Sequence, residues 1–183
     1  MLYRKEKKMQ PTLVDNFISK ELAKDLNMFL RGEVELNPMG KLSKQIYPFD
    51  LTNEVYVVIK SIVENIQKQL GFPEDQISIN RVLYQVLCEG DDLGYHTDAY
   101  GGVGGYGIVG YSALLYLTND YEGGEILFYE DNSGDNSTAY KPEVGTLVYF
   151  KGDENYPHSV NKVISGERAN IILFFDVKEE MVQ

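Results

Sequence analysis

Apolar residues recur at helical spacing in two stretches near the start of the chain and then give way to short alternating runs. In the first stretch Ile18, Leu22, Leu26, Phe29 and Leu30 fall on one helical face, with Asp15, Asn16 and Ser19 as capping candidates and Gly32 as the stop. The second comprises Val55, Ile59, Ile62, Val63, Ile66 and Leu70, started by Thr52 and Glu54 and closed by Gly71 and Pro73. Both stripes read as faces that pack on a core. Between them, residues 35–50 keep neither period and are expected to be irregular.

From Ile77 onward β-branched and aromatic runs are separated by Gly, Asp and Asn, the pattern of a sandwich or barrel. The strands predicted are 77–87, 111–117, 125–129, 145–150, 159–163 and 170–175. Two loops stand out: the glycine-rich 99–110 and the polar 130–141. There is no internal repeat and no linker. The expectation is a single α+β domain spanning 1–183, with a helical part at about 14–71 and an antiparallel β part at about 77–177.

At 183 residues the chain is long enough to bury a core without disulfides or a structural metal. Its one cysteine, Cys88, has no internal partner for a disulfide. Residues 1–10 carry Arg4, Lys5, Lys7 and Lys8 with no apolar run behind them, and no stretch approaches the roughly 18 apolar residues of a membrane span. A cytoplasmic protein with no membrane partner is therefore expected. A formal charge of −11 and no basic cluster speak against a nucleic-acid partner. Oligomeric state is not written in the sequence.

Candidate chemistry begins at Tyr95-His96-Thr97-Asp98. Residues two apart in an extended strand point to the same side, so His96 and Asp98 can present a ring nitrogen and a carboxylate oxygen to one point. The only other histidine is His158. Two histidines and one carboxylate form the facial triad that holds non-haem Fe(II) and leaves coordination positions open. An isolated His-x-Asp is common, and equally compatible with ordinary histidines and a turn aspartate. Arg168 adds context, because a guanidinium opening an apolar strand can make a two-pronged contact to a dicarboxylate. A surface ion pair would use the same residue.

Taken in order, Tyr84-Gln85-Val86-Leu87, His96-Thr97-Asp98, Leu115-Tyr116-Leu117-Thr118-Asn119, Glu122-Gly123-Gly124-Glu125, Gly145 to Phe150, His158-Ser159-Val160 and Gly166-Glu167-Arg168 resemble the 2-oxoglutarate/Fe(II) dioxygenases, specifically their prolyl 4-hydroxylase-like branch. The resemblance covers about half the chain. It implies a double-stranded β-helix, or jelly roll, with the N-terminal helices packed against it, and brings His96, Asp98 and His158 to one Fe(II). It implies that Arg168 binds the distal carboxylate of 2-oxoglutarate, with the Tyr116 hydroxyl on the same group. Gly123, Gly124 and Gly145 would serve as turns. Where many prolyl hydroxylases carry a tyrosine before the His-x-Asp this chain has Cys88, so a phenol contact to the co-substrate would come from Tyr84 or Tyr116.

The activity implied is hydroxylation of prolyl residues in a peptide or protein, with 2-oxoglutarate and O₂ as co-substrates, ascorbate as a further cofactor candidate, and release of succinate and CO₂. Rival readings are a hydroxylase of a free amino acid or other small molecule, a nucleic-acid demethylase, and a non-catalytic jelly roll that holds Zn²⁺ or nothing. Against the demethylase, that branch carries a second arginine where this chain has Phe174. Loop 99–110, with Tyr100 and Tyr106, would be either a lid over substrate or a plain surface loop.

Overall fold

A computed structural model describes residues 10–32, 34–37, 40–46, 53–71, 77–98, 110–130 and 135–177. Thr52, Pro73 and the part of the 99–110 loop holding Tyr100 and Tyr106 lie outside the described residues. After the short strand β1 (Thr12–Val14), the first helix α1 runs Lys20–Arg31. Of the three capping candidates the fold uses Ser19, whose hydroxyl accepts from the Leu22 amide at 3.1 Å. Ala23, Leu26 and Leu30 form its buried stripe. Helix α2 (Asn53–Leu70) buries Val55, Val58, Ile59, Ile62 and Ile66 and ends where Gly71 turns to φ +74°.

The β part comprises β4 (Ile77–Leu87), β5 (Leu93–His96), β6 (Tyr111–Tyr116), β7 (Glu122–Gly123), β8 (Ile126–Tyr129), β9 (Ser137–Tyr140), β10 (Leu147–Lys151), β11 (His158–Val160), β12 (Val163–Ser165) and β13 (Arg168–Val177). Two strands arise where irregular chain was expected: β2 (Glu35–Leu36) and β3 (Leu42–Ile46). Strand β3 pairs antiparallel with β4, placing Leu42 opposite Val86 and Ile46 opposite Val82, so a partner strand organises a segment whose own polar content hides it. The polar loop at 130–141 likewise holds β9, which pairs with β8. The run read as one strand at 159–163 is two, because the chain leaves one sheet at Asn161 and Lys162 to join another.

The larger sheet has the order β1-β10-β6-β13-β4-β3-β2, and a four-stranded sheet has the order β5-β11-β8-β9. Successive strands pass between the two: β4, β6, β10 and β13 belong to the first, β5, β8, β9 and β11 to the second. This is the jelly-roll arrangement, antiparallel throughout.

Strand alternation splits the interior in two. One buried cluster joins Val82, Tyr84, Val86, Leu115, Leu147, Ile171 and Leu173 of the large sheet with the buried stripes of both helices. The Arg31 guanidinium, bonded to Glu167 at 2.8 and 3.3 Å, ties the end of α1 to the turn before β13. The other cluster includes Leu83, Leu114, Tyr116, Val148 and Ile172 from the opposite face together with Ile126, Phe128 and Val160 of the small sheet. Two glycine turns hold the strands in place. Gly145 sits at φ +84°, where an added Cβ would strike the Ile18 carbonyl, and Gly123 at φ +68°, where it would strike that of Lys162.

Candidate active site

The cleft between the sheets carries its polar groups at two levels. At one, His96 on the edge strand β5 is the direct cross-strand partner of His158 on the central strand β11, and the rings lie 4.3 Å apart between centroids. Asp98 follows β5 by two residues and faces both. Its Oδ1 lies 3.8 Å from His96 Nε2 and its Oδ2 3.7 Å from His158 Nε2. One ligand atom from each residue falls within 4.8 Å of the others. Atoms bound about 2.1 Å from one ion stand roughly 3–4 Å apart, so the donor set suits a single metal ion.

Orientation is fixed from behind. His96 Nδ1 is 2.7 Å from the Gly94 carbonyl and His158 Nδ1 3.0 Å from the Tyr156 carbonyl. A carbonyl only accepts, so both Nδ1 atoms carry the proton and both Nε2 lone pairs face Asp98. Phe150, edge-on at 4.9 Å, and Phe128 at 5.7 Å wall in the His158 ring. Burial, the largest influence, lowers the His158 pKa against the opposing pull of Asp98, which favours the neutral ring a metal needs. The Ser112 hydroxyl donates to Asp98 Oδ2 at 2.6 Å. Ser112 was not singled out from sequence, although a polar residue at an inward position of the apolar run 111–116 is a readable signal.

At the second level, Arg168 is 1 % exposed. Its Nη2 donates to the Tyr116 hydroxyl at 2.7 Å and its guanidinium lies 4.9 Å from the centre of that ring. No carboxylate among the described residues lies within ion-pair distance of Arg168, and its Nε has no partner. Burial raises the Tyr116 pKa and pushes that of Tyr121 up to about 12, with the Arg168 charge opposing both, so both remain phenols able to donate. The Tyr121 hydroxyl and both polar atoms of Asn170, the cross-strand partner of Tyr116, are buried without a hydrogen bond. The Tyr121 O–H and the Asn170 Nδ2–H, orphaned donors around an unpaired cation, fit a carboxylate. Between the levels, Leu83, Leu114, Ile172 and Val148 offer an apolar floor that fits methylenes. The cleft thus suits a short dicarboxylate with one end on the arginine and the other at the metal level.

Of the sequence candidates, the structure brings together His96, Asp98 and His158 in one group and Arg168 with Tyr116 in another. Tyr84 is not among them. It shares strand parity with Val82 and Val86, so it faces the helices, and its hydroxyl donates to Asn27 Oδ1 at 2.7 Å. Cys88 also stands outside the cleft's polar groups, with its sulfur 3.8 Å from Glu167 Oε1. Asn170, Tyr121, Gln85 and Arg81 are further polar residues of the cleft that sequence reasoning missed.

Rat prolyl 3-hydroxylase 2 is 38% identical over 65 residues, which is 36% of this chain and 9% of that much longer protein. Among solved structures, a Pseudomonas putida prolyl-4-hydroxylase superposes with a TM-score of 0.72 over 93% of this chain and 94% of its own, at 18% identity. A collagen prolyl hydroxylase from Paramecium bursaria Chlorella virus-1, in complex with 2-oxoglutarate, gives 0.69 over 95% and 98%, at 17% identity. At these identities the structures speak for the jelly-roll fold. The 2OG-Fe(II) oxygenase superfamily model matches residues 82–176, a stretch that contains the His96, Asp98 and His158 cluster as well as Arg168. With more than half its length in that match, the chain belongs to the 2OG-Fe(II) oxygenase superfamily, whose members work with Fe(II), 2-oxoglutarate and O₂.

Proposed function

We propose that this oxygenase hydroxylates prolyl residues in a peptide or protein, holding Fe(II) with His96, Asp98 and His158 and anchoring 2-oxoglutarate on Arg168. The observation that carries the site assignment is a buried guanidinium without an acidic partner among the described residues, in the same cleft as a two-histidine, one-carboxylate cluster. The prolyl substrate is supported by the prolyl 3-hydroxylase and prolyl 4-hydroxylase relatives. When bound, Fe(II) with 2-oxoglutarate and O₂ supplies the oxidising power that hydroxylates a C–H bond as the co-substrate is converted to succinate and CO₂.

The chain's own residues bind, orient and exclude water. His96, Asp98 and His158 would hold the metal and leave coordination positions for co-substrate and O₂. The Gly94 and Tyr156 carbonyls hold the two imidazoles in the metal-binding tautomer, and Ser112 holds the carboxylate. Arg168 offers its free Nε–H, and Tyr116, which accepts from Nη2, keeps its own O–H to donate to the distal carboxylate. Phe128, Phe150, Leu114 and Ile172 keep the space between dry, which strengthens those contacts.

Mass spectrometry of proline-containing peptides incubated with Fe(II), 2-oxoglutarate and ascorbate should show a gain of one oxygen on proline, absent with Asp98→Ala or His158→Ala. Product NMR then assigns the ring carbon. Modification of a free amino acid or a nucleobase, with every peptide left unchanged, would remove the prolyl reading.

A further inference from the structure

A second arginine enters the cleft. Strand β4 sends Leu83 and Leu87 into the cluster between the sheets, and Arg81, two residues before Leu83, projects from the same face. Its cross-strand neighbour is Phe174, whose neighbour on the far side is Ser112, the residue that holds Asp98. Arg81 therefore stands level with the triad, whereas Arg168 is paired with Leu87 at the other end of β4.

The charge around Arg81 sets it apart. The protein carries 28 acidic residues against 17 basic ones, and its outer cations find acids readily. Arg31 pairs with Glu167, Lys41 with Asp91 and Lys60 with Glu64. Arg81 pairs with none among the described residues, and its Nε is buried without a hydrogen bond. The acid at its own level, Asp98, is taken by Ser112 and the two histidines. The buried Arg81 Nε–H is a donor left without a partner, which an incoming anion would satisfy. The distal carboxylate of 2-oxoglutarate answers Arg168, and no acid among the described residues answers Arg81.

We propose that Arg81 binds a carboxylate of the substrate, so that the cleft selects a prolyl compound bearing a negative charge next to the reacting ring. The inference rests on the oxygenase reading of the cleft. An acidic side chain beside the proline, a peptide C-terminus and the carboxyl of a free amino acid present the same group, and a guanidinium fork grips each in two-pronged fashion.

The test measures binding as well as turnover. Matched ligands would be titrated into the protein loaded with Mn(II) and 2-oxoglutarate: Pro-Asp against Pro-Asn peptides, free-acid against amidated C-termini, and free proline against prolinamide. At least one carboxylate should bind roughly ten- to a hundredfold more tightly than its amide, and the arm that responds identifies the source. Arg81→Gln should abolish that preference, Arg81→Lys should restore part of it, and 2-oxoglutarate affinity measured by thermal shift should hold in both. Equal binding of every acid and its amide would overturn the assignment, whether or not proline is the acceptor. A fall in 2-oxoglutarate affinity with Arg81→Gln would overturn it too, by placing Arg81 on the co-substrate. Failure to hydroxylate proline with the acid preference intact would instead sink the prolyl reading alone.

Discussion

Arg168 should weaken the empty fold as it enables binding, and replacing it together with its partner separates the two effects. Taking an unpaired cation out of water costs several kcal/mol even after relaxation. Against this stand one hydrogen bond to Tyr116, worth about 1.5–3 kcal/mol as a charged bond, and a cation–π contact at 4.9 Å worth about 0.5–2 kcal/mol. A deficit on the order of 1–2 kcal/mol remains in the protein without ligand. The double variant Arg168→Met/Tyr116→Phe fills a similar volume with apolar groups and leaves neither partner stranded. Each kcal/mol moves Tm by about 2–4 °C at this size, so the variant should melt roughly 2–8 °C higher than the parent without metal or co-substrate. It should also lose at least about a hundredfold in 2-oxoglutarate affinity, because a charge-assisted bond and a phenol donor vanish together. Thermal melts with and without 2-oxoglutarate, alongside a binding isotherm, read both quantities. A variant that melts several degrees lower, or keeps the upward shift with 2-oxoglutarate, would refute the reasoning.

Ser112→Ala frees one Asp98 oxygen without touching a ligand, so metal affinity measured by competition with a chelator should drop roughly ten- to a hundredfold; an unchanged value would show that the hydroxyl does not position the carboxylate. Burial pushes the Cys88 thiol up and the neighbouring Glu167 carboxylate adds to it, so little thiolate exists at neutral pH and iodoacetamide should label Cys88 more slowly than a free thiol. Glu167→Gln removes part of that upward push and should speed labelling, and a slower rate would contradict the assigned cause.

The sequence carried the long elements and the rare residues well. Strand β4 has the bounds its β-branched and aromatic run predicts, and both helices follow their stripes, except that Phe29 of the first is exposed and Ala23 joins Leu26 and Leu30 in the core instead. With only two histidines in the chain, the metal cluster was nearly forced. Legibility failed where a neighbour decides the outcome. Lys44 and Gln45 hide β3 until β4 supplies its hydrogen bonds, and Ser137 and Thr138 read as loop until β8 pairs with them. Which of Tyr84 and Tyr116 lies beside Arg168 turned on strand parity, which composition does not reveal: Tyr84 is buried in series with Val82 and Val86 on the helix side, and Tyr116 bonds Arg168. Asn170, Tyr121 and Arg81 could not be found from sequence, because what distinguishes them is a buried polar atom with no hydrogen-bond partner among the described residues.

Strand β6 works as a measuring rod. Ser112, at the metal level, and Tyr116, at the arginine level, are fixed four residues apart on one pleated ribbon, with Leu114 between them. At about 3.4 Å per residue the two marks lie about 14 Å apart, and hydrogen bonding to β10 on one side and β13 on the other prevents the ribbon from stretching. Discrimination between diacids of different length is then set by the backbone, not by any side chain that a point mutation could resize. A shift of one residue would turn all three inward groups to the helix side at once. Preference for the five-carbon co-substrate is thus tied to the integrity of the sheet.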